Sequence, residues 1–270
     1  MRDGPLDRDF AHIRVRRAGA VVEVSLARPE ARNALQALTI HELTEVAQLL
    51  RRRSDVAAVI LAGAPTFFSA GADVADFENR IRAPTLLETR DVVMAGPDMC
   101  QAWEEIEAVT IAAIEGYCVG GACALALACD FRILGGSAFL RLPEVALGVN
   151  MSWRTVPRVT ALVGPARAKR FVIFGERTDA PTCLHWGLAD AVVDDGRTVD
   201  EAQAWAARVT ALPPLPVRMT KEQVNATAHA LSHAASYMDR DQYLVTSRTR
   251  DFAEGREAFL QRRDAEFTGD

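Results

Sequence analysis

The chain has 270 residues, 49% of them hydrophobic and 25% charged, with a formal charge of -5 at pH 7. A chain of this length buries a large core, commonly as one α/β domain plus an appendage. Its acidic balance gives no general attraction to nucleic acid or to an anionic membrane face. The longest apolar run, residues 111–129, contains Glu115 and three glycines and ends at Asp130, so it reads as a buried strand, turn and helix and not as a membrane span.

The opening MRDGPLDRDF is charged and polar, where a leader would be basic and then apolar. The cysteines, Cys100, Cys118, Cys123, Cys129 and Cys183, are odd in number with no CxxC pair. Together these predict a reducing, cytoplasmic setting with free buried thiols. Residues 20–27 (AVVEVSLA) predict the first strand. Leu35, Leu38, Leu43, Val46, Leu49 and Leu50 share one face of a helix over 35–53, closed by Arg51, Arg52 and Arg53, whose charge suits the carbonyl end of a helix. Residues 56–63 (VAAVILAG), 109–116 (VTIAAIEG) and 131–134 are apolar without alternation, as in strands covered on both faces. From Met151 the pattern turns helical, over 152–162, 165–174 after a break at Gly164, and 180–187, with a last strand at 190–193. The run ALPPLPVR at 211–218 breaks any helix and sets a soft boundary, dividing a core of residues 1–210 from a helical region of 211–270.

Two turns built from small residues carry the chemistry. In FFSAGAD, residues 67–73, small side chains let a ligand approach the backbone, and Asp73 begins or caps the next helix. In the second, Gly116, Gly120 and Gly121 lead from a strand into a helix, leaving N–H groups without intrahelical partners. If the turns face each other, one amide from each converges on a single oxygen, in place for a charge that appears only in the transition state. A lone carboxylate, Glu144, stands further on in LPEVALG.

FFSAGAD, IAAIEGYCVGGACALALACDFRI and LPEVALG, in that order and spacing, resemble the crotonase superfamily of enoyl-CoA hydratases and isomerases. RPEARNAL at 28–35, LVGPARAKR at 162–170, GLADAVV at 187–193 and EGREAFLQRR at 254–263 extend the resemblance over nearly the whole chain. It implies an α/β fold with a crotonase-like ββα spiral core and a C-terminal helical trimerisation region, assembled as a homotrimer or a dimer of trimers. It also implies an acyl-CoA substrate, with coenzyme A entering as part of the thioester and no permanently bound cofactor. Carried onto this sequence, the N–H groups of Ala72 and Gly121 bind the thioester carbonyl oxygen. Phe68, Ala70 and Asp73 belong to the wall that cradles adenine and pantetheine, and Arg28 and Ala34 lie where the family also touches coenzyme A. Lys221 is a phosphate contact or, more simply, an exposed helical lysine.

Hydratases of this family use two glutamates; the first would fall at Ala124, which carries no acid, and the second falls on Glu144. One carboxylate suffices to take a proton from the α-carbon and return it at the γ-carbon. The expected activity is therefore 3-enoyl-CoA to 2-enoyl-CoA isomerisation with Glu144 as the sole acid/base. The alternatives are a hydratase, hydrolase or lyase of the same superfamily, with Asn150 or another polar group replacing the lost acid, and a catalytically degenerate acyl-CoA-binding protein. Residues 150–154 (NMSWR) stand where many hydratases carry a glycine-rich stretch. Ser152 as an N-cap and Trp153 as packing explain them structurally; functionally, Asn150, Trp153 or Arg154 selects an unusual acyl group, such as one with a polar or carboxylated tail. Chain-length preference is expected to depend on a disordered-looking segment at 81–94. His12, His41, His185, His229 and His233 are read as scattered solvated side chains, and no metal is expected.

Overall fold

A computed structural model describes residues 6, 9–73, 76 and 85–270. In chain order the strands are β1 (Ile13–Ala18), β2 (Val21–Leu26), β3 (Ala58–Ala62), β4 (Val109–Ile114), β5 (Tyr117–Val119), β6 (Phe131–Gly135), β7 (Phe139–Arg141), β8 (Thr178–Asp179) and β9 (Ala191–Val193). The helices are α1 (Ala37–Leu50), α2 (Leu86–Glu104), α3 (Gly121–Leu127), α4 (Thr155–Phe174), α5 (Ala180–Trp186), α6 (Thr198–Thr210), α7 (Pro214–Ala228), α8 (Ser232–Ser236), α9 (Asp239–Thr246) and α10 (Arg250–Gln261). One sheet runs β1-β2-β3-β4-β6-β9, with the β1–β2 hairpin antiparallel and every other pairing parallel. A second, β5-β7-β8, stands beside it.

β3 and β4 are buried at every position, which is why they show no polar alternation. Successive side chains of β3 enter different cores, because the pleat has a period of two. Val59 and Leu61 join the main core with Leu43, Val46 and Trp103, while Ala58, Ile60 and Ala62 pack with Ala202 and Ala206 of α6. Glu115 explains the charge inside the apolar run: its carboxylate accepts from the N–H groups of Gly196 (3.0 Å) and Thr198 (3.2 Å), fastening the start of α6 to the end of β4.

Several expectations are corrected. Of the segment at 81–94, residues 81–84 lie outside the described residues and 86–94 belong to α2, which opens on a capping box between Thr85 and Glu88. Ser152 is not an N-cap: α4 begins three residues later, behind a left-handed Arg154 with no side-chain cap bond. The break within that helix is present at Gly164 (φ 75°, ψ 167°). The proline run starts a helix as well as ending one, since Pro214 occupies the first turn of α7, where its fixed φ is suited to the helix. Lys221 is not exposed. Its Nζ sits 2.7 Å from Asp130 and donates to the Ala108 carbonyl (2.9 Å), pinning α7 to the main sheet. All five cysteines are buried and free. Among the described residues, no helix is long and apolar enough to cross a membrane.

Candidate active site

The two turns meet. Ser69 bridges to Cys118 in parallel register, and Leu35 bridges to Ala72. Phe68 and Ser69 both donate to the Tyr117 carbonyl, at 3.2 and 3.1 Å, and Val119 donates back to Ser69 (3.2 Å). Gly71, at φ 93°, has its α-carbon so close to the opposite strand that an added Cβ would stand 2.5 Å from the Val119 carbonyl oxygen and 3.5 Å from the Gly121 nitrogen. Only glycine fits, because both the left-handed backbone and the close approach exclude a side chain. The Ala72 and Gly121 N–H groups thus lie on adjoining segments, and neither has an acceptor among the described residues. Gly121 is the first residue of α3, so its N–H has no carbonyl within the helix to bond.

Glu144 completes the cluster. An added Cβ on Gly120 would lie 2.9 Å from Glu144 Oε1, so this carboxyl presses on the residue immediately before the Gly121 amide. The residue as a whole is half-buried, but its Oε2 is enclosed and has no hydrogen-bond partner among the described residues. Burial pushes its pKa from 4.5 up to about 7, against opposing contributions from a backbone hydrogen bond and the Arg141 charge. A carboxyl with that pKa can both take and return a proton near neutrality. Tyr243 of α9 lies close enough for the Glu144 charge to add to the burial that raises its own pKa.

The remaining expected site residues fall into place unevenly. Ala124, one turn into α3, is fully buried and supplies only a methyl group. Phe68 is a core side chain, with its carbonyl taken by Asn33 Nδ2 (3.0 Å). Ala70 is half-buried, its N–H held by the Arg32 carbonyl (3.1 Å). Asp73 accepts from the Asp76 N–H (3.1 Å) and from Gln36 Nε2 (3.1 Å), as a capping residue does. Arg28 and Ala34 are partners of each other: the Arg28 guanidinium donates to the Ala34 carbonyl (3.0 Å), fastening the loop that runs past the first turn. Asn150 faces α9, its amide oxygen accepting from the Thr246 hydroxyl (2.9 Å). Trp153 packs its indole between two glycines: an added Cβ would come within 2.5 Å of the ring at Gly121 and within 2.1 Å at Gly96 of α2.

Sequence reasoning passed over the groups that hold this arrangement. Asn33, buried and left-handed (φ 52°), ties the 28–35 loop to the first turn; an asparagine ahead of an apolar helix was the signal, since Asn tolerates that backbone region. Arg158 and Glu104 form a buried ion pair (2.6 Å), and the same guanidinium donates to the carbonyls of Trp153 and Arg154, each at 3.1 Å. His229 and His233 do stand four apart, a spacing the no-metal expectation ignored. The chain breaks between α7 and α8 there, and His229 sits beside Ser232 and Glu104. Among the described residues no cluster of three potential metal ligands exists.

The fold and this cluster define an architecture, a mixed α/β protein in which two amide-bearing turns and one acid side chain come together. The sequence profile of the enoyl-CoA hydratase/isomerase family matches residues 16–270, and the chain belongs to that family, within the crotonase superfamily. It is 34% identical over 263 residues to a probable enoyl-CoA hydratase of Mycobacterium bovis, covering 96% of this chain and 98% of that protein. It is 30% identical to the 2,3-dehydroadipyl-CoA hydratase of Escherichia coli over 258 residues, 94% of this chain and 98% of that one. The crystal structure of an enoyl-CoA hydratase from Mycobacterium avium subsp. paratuberculosis superposes with a TM-score of 0.86 at 26% identity, covering 96% of this chain and all (100%) of the other. The chain is thus an acyl-CoA-processing enzyme of crotonase fold.

Proposed function

We propose that the enzyme moves the double bond of a 3-enoyl-CoA to position 2, with Glu144 as its only acid/base. The observation that carries this reading is the Glu144 carboxyl lying against Gly120 with its enclosed Oε2 unpartnered among the described residues, with Ala124 in place of a second acid. The N–H groups of Ala72 and Gly121 hold the thioester oxygen. Ionised Glu144 takes a proton from the α-carbon, and the electron pair moves onto that oxygen as the enolate. The two amides stabilise the new charge, for which one lost donor costs about 10²–10³ in rate in the best-measured case. The protonated carboxyl then delivers its proton to the γ-carbon, the double bond settles between the α- and β-carbons, and Glu144 is again a carboxylate. No water is consumed and no further cofactor takes part.

Turnover of 3-enoyl-CoA in oxygen-labelled water, followed by mass spectrometry, tests this directly. The expected product is an isomer without label; absence of conversion, or full activity in Glu144→Gln, overturns it. Hydration is the second reading, supported by the hydratase names of the relatives. It requires another group to position water in place of residue 124, and a labelled 3-hydroxyacyl product from a 2-enoyl-CoA, with no conversion of the 3-enoyl-CoA, would establish it. The same reading includes a homotrimer or a dimer of trimers. Exposed apolar side chains of the C-terminal region, among them Leu215, Met219, Val224 and Leu231, support it by requiring cover.

A further inference from the structure

Trp153 and Arg154 are consecutive non-glycine residues in the left-handed region, at φ 60° and 54°. Such conformations persist only where the surroundings impose them, and they concentrate at functional sites. Here the surroundings do so from three sides. The Arg158 guanidinium binds both carbonyls of the pair. Asp239 accepts from the Arg154 N–H (2.9 Å), and Gln101 accepts from the Arg154 guanidinium (2.7 Å). The result aims the indole at Gly121, and α2 carries a glycine, Gly96, at the point where its other edge arrives.

Resting on the thioester reading above, we infer that the indole of Trp153 is a fixed stop in the acyl site that restricts this enzyme to short-chain acyl-CoA substrates. With the thioester oxygen held at the Gly121 amide, the acyl carbons pass within contact distance of the Gly121 α-carbon, and the ring stands against that carbon. A mobile side chain there would swing aside for a longer chain. This one is locked through its own backbone, and the ring is wedged between α2 and α3.

The test is calorimetric titration of the intact enzyme with free coenzyme A, butanoyl-CoA and dodecanoyl-CoA, alongside Trp153→Ala, Trp153→Leu and Trp153→Phe. The wild type is expected to prefer butanoyl-CoA over dodecanoyl-CoA by at least about tenfold, the lower range for discrimination by a shaped apolar pocket. Trp153→Ala, or Trp153→Leu where the smaller residue impairs folding, is expected to abolish or reverse the preference, and Trp153→Phe to retain most of it. Butanoyl-CoA, but not free coenzyme A, should change the wild-type indole fluorescence, and that change should vanish in Trp153→Phe. Equal wild-type affinity for the two thioesters, or an unchanged preference in a folded Ala or Leu variant, overturns the inference and leaves the thioester reading standing. If neither thioester binds, both fall.

Discussion

Glu144 shows how one residue's environment sets two properties at once. Its burial raises the pKa from 4.5 to about 7, so the folded protein favours the protonated form more than the unfolded chain does. Below about pH 4.5 both states hold the proton and nothing is lost. Between about pH 4.5 and 7 the unfolded chain ionises this group while the folded state still holds the proton, so stability falls progressively, by about 3 kcal/mol at most, and levels off above about pH 7. Glu144→Gln is therefore expected to raise the unfolding free energy above about pH 7, with the gain fading towards pH 4.5, as measured by chemical denaturation across that range. Catalysis responds in the opposite sense. The proposed isomerisation should rise with pH through about 7, as the carboxyl becomes a base, and the Gln variant should lose at least about 10²-fold in kcat/KM.

At the scale of elements, the loop between β7 and α4 and the first turns of α4 place the Glu144 carboxyl and the Trp153 indole. Arg158, 3% exposed, is the anchor of that segment, paired with Glu104 of α2 and bonded to two carbonyls of the left-handed turn. Removing one partner of a buried ion pair leaves the other charge uncompensated, so Arg158→Met is expected to cost about 3–5 kcal/mol in denaturation experiments. It should also lower kcat/KM by releasing Trp153 and Arg154, although Arg158 makes no contact with the proposed substrate path. Farther along the same helix, Gly164 adopts φ 75° with open space around it. Gly164→Ala meets no clash there, yet it should destabilise the protein by about 1–3 kcal/mol through the backbone alone, which a melting curve would register.

Across the whole molecule, the C-terminal helices are part of the site's support. Asp239 and Thr246 of α9 hold Arg154 and Asn150, and Arg90 of α2 reaches Asp241 (2.8 Å). An added Cβ on Gly255 of α10 would stand 2.8 Å from the Leu147 backbone, three residues beyond Glu144. The Lys221–Asp130 pair joins this region to the end of α3 and the start of β6. Asp130 also accepts from Thr110 (2.7 Å) on β4. Lys221→Met should therefore weaken the entire fold by about 3–5 kcal/mol, since it strands a largely buried carboxylate, and the loss is expected in the main unfolding transition.

What the sequence determined by itself was whatever depends on local spacing: the predominantly apolar strands β3 and β4, the glycine turns, the face of α1, and a single carboxyl at Glu144 with Ala124 in place of a second. These were legible because a strand covered on both faces and a turn that admits only small residues leave their mark on consecutive positions. β1 was missed because its IRVRRA exposes three arginines, and α2 because its apolar face is interrupted by charged residues and a glycine and proline. Only tertiary structure decided that the Ala72 and Gly121 segments adjoin, that Lys221 is buried, that Asn150 turns to α9 and that Trp153 closes on Gly121. Each of those depends on contacts between segments far apart in the chain, and the depth to which a side chain is buried, which sets both its pKa and its packing partners, exists only once those segments have met.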